Sequence, residues 1–323
     1  MFSVIIPLYN KAPYVEKAIR SVLNQTLQDF ELIVINDGST DNSYEVVQKL
    51  FSSLTPPSGG RGANPSDGCR VYTQQNQGVS ATRNKGVSLA KYDYIAFLDA
   101  DDWWESTFLE EMKILIDDYP EAGIWGCSYN IIKGGKTRLP RNGVEPGVRG
   151  YVNYFQCYAR GGEMPLWTGS VVLKKTVFEA EKGFSPVLKL GEDFHLWVRI
   201  AAHYSVVYEN KPLANYNQDV DLQNRAIGLK FYKPEEHMLF VDYGILMQQS
   251  DFRQLYERLA LYGLLPYYLS KINKKEVKRI LDKVDWNKQE AKYLWYYKRI
   301  PRQVLKWSFE LKRVGFRIKN SIR

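Results

Sequence analysis

Cysteine is scarce in this chain. Cys69, Cys127 and Cys157 stand far apart and without metal-ligand spacing. An odd, sparse count excludes a disulfide framework and fits a reducing, cytoplasmic setting. Histidine is equally thin. His195, His203 and His237 are scattered and are read as structural, with His195 the one to watch because it stands two residues from Asp193. Long apolar runs are missing. The longest uncharged stretch toward the C-terminal half, Leu259–Ser270, has about 12 residues and contains Pro266, whereas a membrane-spanning helix needs roughly 18–20. Phe2–Leu8 is apolar, but no basic segment precedes it and Asn10-Lys11 ends the run, so no signal peptide is expected. Gly59-Gly60-Arg61-Gly62 lacks the strand, the lysine and the following helix of a phosphate loop. No internal repeat is visible.

What is present is globular. The 323 residues are 45% hydrophobic and 25% charged, which excludes a mostly disordered chain. That length suits one large domain with an appendage. The net charge of +8 is uneven. Lys271–Arg323 holds 17 Lys/Arg against 5 Asp/Glu, a surplus of 12, which leaves the remainder at −4. A mildly acidic body and a basic tail call for separate explanations.

The first hundred residues alternate strand and helix. Phe2–Pro7, Phe30–Ile35, Val71–Gln74 and Tyr94–Leu98 are short apolar runs, as buried parallel strands should be. Helices are expected from an Asn10 cap to about Asn24, from about Asn42 to Phe51, and over Val79–Ala90. Ser52–Gly68, rich in Ser, Pro and Gly, reads as a mobile surface insertion. Right-handed crossovers then place ligands at the carboxyl ends of the strands. Those ends carry Tyr9-Asn10, Asp37, Asn76–Gly78 and Asp99–Asp102. Farther on, Ser106 is expected to cap a helix to about Asp118, Gly123–Asn130 and Val171–Leu173 read as strands, and Asp193–Ala202 as a helix. Gly134-Gly135 suits a hairpin turn. From about Ile227 the chain reads as mainly helical.

Three segments carry chemistry. Asp99, Asp101 and Asp102 put three carboxylates in four residues after a buried strand. They repel unless a cation sits among them, and hard oxygen ligands suit Mg²⁺ or Mn²⁺ with phosphate completing the shell; a solvated turn with a helix cap is the plainer alternative. Asp37, at the end of a strand, suits reading a base or ribose, or simply an Asx turn. Glu192-Asp193 follow a glycine at a helix start. They serve either as a cap favoured by the helix dipole or as a general base for a hydroxyl nucleophile.

Taken together, Ser3–Asn10 (SVIIPLYN), Asn36–Asp41 (NDGSTD), Asn76–Asn84 (NQGVSATRN), Asp99–Asp102 (DADD) and Glu192-Asp193 resemble, in order and approximate spacing, the inverting family-2 glycosyltransferases. The resemblance spans about residues 1–220. It implies an α/β GT-A-type fold, with a mostly parallel sheet flanked by helices, in a catalytic domain at 1–225. Its nucleotide-binding half is about 1–104 and its acceptor half about 105–225, and a helical, basic region at 226–323 follows. The resemblance also implies a nucleotide-sugar donor, a UDP-sugar foremost, a saccharide or lipid-linked saccharide acceptor, Mn²⁺ or Mg²⁺, and a setting in bacterial surface-polysaccharide synthesis. Carried over by position, Tyr9 with Pro7 stands beside the nucleotide base, Asp37 reads it, and Arg83 lies in a segment that holds the nucleotide. Asp99 with Ala100 stands on the ribose side, Asp101 is the metal ligand, and Asp193 is the base with Glu192 its neighbour. The chain departs from the pattern at Asn36, where many relatives have Asp, and in Tyr216–Asp219, which lacks the histidine that some relatives place after the base. Trp103, Trp104 and Trp167 are candidates to line the acceptor cleft, against ordinary packing.

Two rivals remain on the sequence. A nucleotidyltransferase would need a Gly-rich Arg/Lys loop after the first strand, which Pro7–Lys11 lacks. A nucleic-acid module would use the basic tail but leave Asp99, Asp101 and Asp193 idle, so no nucleic acid is expected. In that tail Val304, Trp307, Leu311, Val314, Ile318 and Ile322 recur at steps of three or four, with Arg302, Lys306, Arg313 and Arg317 largely off the stripe. Such a helix lies at an anionic membrane interface, as a peripheral attachment to the inner face of the cell membrane, or packs on the catalytic domain.

Overall fold

The computed structural model describes residues 1–54, 68–220 and 231–308. The chain divides into two compact units, Met1–Gly228 and Leu229–Arg323.

The first unit is built on one mixed sheet. Strands β1 (Phe2–Leu8), β2 (Phe30–Asn36), β3 (Cys69–Thr73) and β4 (Tyr94–Phe97) alternate with helices α1 (Val15–Leu23), α2 (Ser43–Leu54) and α3 (Val79–Leu89). After β4 come β5 (Trp103–Trp104), α4 (Phe108–Asp118), β6 (Ile124–Lys133), β7 (Lys136–Arg138), β8 (Arg149–Val152) and α5 (Tyr154–Gly161). The unit continues with β9 (Val171–Lys174), α6 (Lys175–Ala180), α7 (Glu192–His203) and β10 (Val206–Asn217). The order across the sheet is β3-β2-β1-β4-β9-β6-β10-β5, with β7 on β6 and β8 on β10. The first four are parallel neighbours, β9 runs antiparallel between β4 and β6, and β10 runs parallel to β6.

Every residue of β1 is buried, as the continuous apolar run requires of a strand covered on both faces. Val4, Ile6 and Leu8 enter the large core that also holds Val15, Ala18 and Ile19 of α1 and Phe108 of α4. Ile5 points the other way, against α3. A side chain on Gly86 would collide with Ile5, so a glycine lets that helix come down onto the sheet.

Three local expectations shift. The first helix starts at Val15, not at an Asn10 cap. Asn10 takes a left-handed backbone (φ 51°), and its Oδ1 accepts from the Thr40 N–H at 2.8 Å, so a neighbouring loop has claimed the capping oxygen. Ser106 does not cap α4, whose N-cap is Thr107 without a side-chain bond; the Ser106 carbonyl instead accepts from Thr26 N–H at 2.8 Å. Ser52 and Ser53 extend α2, while 55–67, most of the expected insertion, lies outside the described residues. The Gly134-Gly135 turn forms, with φ of 60° and 68°, between β6 and β7. Strand β10 is a long element that the sequence reading passed over. Its register shifts twice around Pro212, because proline has no N–H for the ladder.

The second unit is helical: α8 (Ser250–Gly263), α9 (Leu265–Ser270), α10 (Lys274–Leu281) and α11 (Ala291–Leu294), preceded by three short 3₁₀ turns. Phe252, Leu255, Ala260 and Leu261 are fully buried. His237, Phe240 and Tyr267 meet edge to face at centroid distances of 5.4–5.6 Å. Of the tail stripe, Leu311, Val314, Ile318 and Ile322 lie outside the described residues. Val304 and Trp307 are exposed, at 54% and 64%, and the buried residue of that turn is Leu305. Among the described residues no helix is long and apolar enough to cross a membrane.

Candidate active site

The site gathers at the carboxyl ends of β1, β2 and β4. The loop after β1 is pinned by the loop after β2. Asn10 N–H donates to Ser39 Oγ (3.1 Å), Lys11 N–H to Ser43 Oγ (2.7 Å) and Ala12 N–H to Asp41 Oδ2 (3.1 Å). Tyr9 stands 46% exposed at this rim, and Pro7 is buried within β1.

Asp37 is buried and fastens a third loop. Its Oδ1 accepts from Gln74 Nε2 (2.7 Å) and Gln77 N–H (2.9 Å), and its Oδ2 from Gly78 N–H (2.8 Å). The Asx turn expected of it belongs to Asn36, whose Oδ1 accepts from Ser39 N–H at 3.1 Å. Gly78 (φ 87°) leads into α3.

Arg83, on α3, is the hub. It is buried, and its two terminal nitrogens reach Asp99 Oδ1 (2.6 Å) and Glu192 Oε1 (3.1 Å). The Phe184 ring lies 5.2 Å from its guanidinium carbon, while its Nε has no hydrogen-bond partner among the described residues. The resemblance assigned Arg83 to a nucleotide-holding segment. Its contacts here are the two carboxylates, and through them it joins the strand-end cluster to the start of α7. Burial opposes its charge, but Asp99 and Glu192 hold its pKa above the ordinary arginine value.

Each acid of the cluster has a different neighbour. Asp101 Oδ2 receives Lys11 Nζ at 2.6 Å. Asp102 is buried and accepts from Asn217 N–H at 2.7 Å. Burial pushes the Asp101 pKa up, Lys11 pulling against it and Asp99 adding to it. Burial, followed by the charges of Asp101 and Asp99, pushes Asp102 well above the usual range. Ala100 is buried between these acids. Such crowding fits a cation. No group of three or more His, Cys, Asp or Glu among the described residues is arranged to hold a metal, so an ion here would take most of its ligands from phosphate and water, as Mg²⁺ commonly does.

Asp193 differs from these acids. Its Oδ1 accepts from its own helix, Phe194 N–H, at 2.7 Å. Burial first, then the charge of Glu192, lifts its pKa to about 7. Burial and the Arg199 charge lower the His195 pKa to about 4, so this ring is neutral near pH 7.

The aromatic candidates separate. Trp103 is half-buried beneath the Lys17 ammonium, 2.8 Å from the ring centroid. Trp167 is almost covered by protein. It is only 9% exposed and packs between Tyr129 and Tyr216 at 5.3 and 5.0 Å, where β6 and β10 offer it apolar partners. Sequence reasoning missed Lys11, Gln74 and the bridging by Arg83. The lysine directly follows the SVIIPLYN segment, but nothing local indicates that it reaches a residue 90 positions away.

The profile of the family described as "Glycosyl transferase family 2" matches residues 3–170, just over half of the chain. The chain is 32% identical over 135 residues to a putative glycosyltransferase, EpsH, of Bacillus subtilis, covering 42% of this chain and 36% of that one. It is 36% identical over 132 residues to a chondroitin synthase of Pasteurella multocida, covering 41% and 12%. It thus spans well under half the length of these curated relatives. Among solved structures, S. aureus TarS 1–349 in complex with UDP superposes with a TM-score of 0.61 at 17% identity, covering 86% of this chain and 77% of that one. The mannosyltransferase PcManGT of Pyrobaculum calidifontis, solved with GDP-Man and Mn²⁺, gives 0.53 at 15% identity, covering 96% and 75%. These likenesses establish the GT-A fold, and with the family profile matching more than half its length, the chain belongs to glycosyl transferase family 2.

Proposed function

We propose that this protein moves one sugar from a nucleotide-sugar donor to a hydroxyl of a saccharide or lipid-linked saccharide, with inversion, in surface-polysaccharide synthesis. The observation that carries this reading is Asp193, a carboxyl raised to about 7 and linked through neighbouring Glu192 and Arg83 to the acids at the strand ends. A base with a pKa near the working pH is ionised often enough to act and basic enough to take a proton. Asp193 removes the proton of the acceptor hydroxyl as that oxygen attacks the anomeric carbon opposite the leaving diphosphate. One displacement inverts the centre and needs no second, nucleophilic carboxylate.

Tyr9 offers an exposed ring to the base, and Asp37, with Pro7 nearby, shapes the pocket that receives it. Asp99 and Ala100 stand on the ribose side. The complexes of TarS with UDP and UDP-GlcNAc and of PcManGT with GDP-Man support a nucleotide sugar, with UDP the first nucleotide to test. Asp101 is the residue to hold Mn²⁺ or Mg²⁺, which when bound supplies positive charge to the departing diphosphate. Trp103 remains the candidate against the acceptor.

The exposed Val304 and Trp307, beside Arg302 and Lys306, favour the membrane-surface reading of the tail. Flotation with anionic and neutral liposomes, comparing the full chain with one ending near Ile300, tests it; neither chain binding anionic vesicles at low salt would refute it. The enzymatic reading is tested with a panel of nucleotide sugars and Mn²⁺, following released nucleoside diphosphate with and without saccharide acceptors. One donor is expected to be hydrolysed slowly without acceptor. Release from none of the panel under either condition would count against the proposal.

A further inference from the structure

Lys11 has no part in the chemistry above, yet the fold places it with care. The backbone of Asn10, Lys11 and Ala12 is held by Ser39, Ser43 and Asp41. This delivers Nζ to 2.6 Å from Asp101 Oδ2, with the two side chains only 15% and 18% exposed. The other acids of the cluster have their own partners, Arg83 for Asp99 and the Asn217 N–H for Asp102. Lys11 therefore sits on the carboxylate that the nucleotide-sugar reading assigns to a divalent ion.

An ammonium and a divalent ion compete for one carboxylate oxygen, since each excludes the other by size and like charge. Lysine suits a temporary role. Its charge is a compact point on a flexible four-carbon stem with three donors, so it can leave one oxyanion for another nearby. We propose that Lys11 is a placeholder cation: it neutralises Asp101 while no donor is bound, yields Asp101 to the divalent ion, and then pairs with the diphosphate oxygens. The inference rests on the nucleotide-sugar reading. Its consequence is thermodynamic. Metal alone must displace Lys11 from its partner, whereas metal arriving with a diphosphate gives Lys11 a new partner, so each ligand strengthens the other.

The test uses the full chain and two direct binding measurements, free Mn²⁺ by electron paramagnetic resonance and UDP or GDP by calorimetry. Lys11→Met removes the placeholder. Mn²⁺ alone is expected to bind K11M about ten-fold tighter than wild type, and nucleoside diphosphate at saturating Mn²⁺ about ten-fold weaker, a typical coupling. Lys11→Arg keeps the charge and should fall near wild type. Lys11→Gln, which keeps a hydrogen-bond donor to Asp101, is the second neutral variant and should move both constants in the same directions as K11M. Mn²⁺ affinity unchanged in the folded neutral variants overturns the placeholder role, and unchanged nucleotide affinity overturns the transfer to diphosphate. Wild-type protein that binds neither UDP nor GDP, with or without Mn²⁺, overturns the nucleotide-sugar reading itself.

Discussion

The acids at the strand ends and the acid at the start of α7 are handled in opposite ways. Asp99 and Asp101 each have a cationic side chain at 2.6 Å. Asp193 accepts a hydrogen bond from a backbone N–H, while the guanidinium of Arg83 reaches Glu192 beside it. A carboxylate paired directly with a cation suits binding: Lys11 opposes the burial that lifts the Asp101 pKa. A carboxyl that is buried beside another acid gains proton affinity and suits proton transfer. One arginine separates the two behaviours by holding Asp99 and Glu192 together.

The largest effect is expected at Asp193. Asp193→Asn keeps the size and an acceptor for Phe194 N–H but loses the proton acceptor. Sugar transfer should fall about 10²–10⁴-fold with donor binding retained, measured as steady-state turnover alongside donor titration. Near wild-type turnover would remove the base assignment.

Breaking the bridge comes next. Arg83→Met leaves Asp99 and Glu192 without their shared cation. Removing one partner of a buried pair is strongly destabilising. Both acids keep some solvent contact, so a loss of about 2–3 kcal/mol is expected by denaturant unfolding. Stability equal to wild type would show that water already compensates these acids.

The same comparison fixes the sign of a pH effect. The folded-state pKa of Asp193, about 7, lies above its ordinary value of 3.8. The folded chain therefore binds the extra proton between those values, and stability falls as pH rises from about 4 to 7. Asp193→Asn abolishes this penalty. It should be more stable than wild type above pH 7, by about 1–3 kcal/mol, with the gain vanishing near pH 4. Catalysis runs the other way: wild-type turnover should fall as the pH drops below about 7, where Asp193 takes up its proton. A stability difference that does not vary with pH would sink the linkage argument.

The smallest effect is expected at Asp102. Burial already favours its protonated form, and an asparagine oxygen serves the Asn217 N–H equally well. Asp102→Asn should change unfolding free energy by less than about 1 kcal/mol. A loss of several kcal/mol would mean that Asp102 works as a charged group.

Much of the nucleotide half was legible because its signals are local. Apolar runs such as Phe2–Pro7 became strands buried on both faces, and in the following half the Gly134-Gly135 pair marked its turn. The run from Val206 to Asn217 was not read as a strand because Glu209, Asn210, Lys211 and Pro212 interrupt its pattern. The strand tolerates them through its register shifts. Helix α5 did carry usable signals, an Asn153 cap that accepts from Gln156 N–H and a left-handed Gly162 stop. They bound a helix of only 8 residues, too short for its apolar period to stand out. The role of Trp167 was not legible, because the sequence says that an indole needs cover, but not whether protein or ligand provides it.

By itself, the sequence determined where the acids fall along the chain, that they follow strands or open a helix, and that the tail is basic. Those properties depend on neighbours in sequence: apolar period, turn residues and charge. Only the tertiary structure decided which cation meets which acid. Arg83 joins Asp99 to Glu192, 109 residues farther on than the arginine, and Lys11 reaches Asp101. A charge pair depends on distance in space and on the loss of water around it. The packing of β1, β4, α3 and α7 sets both.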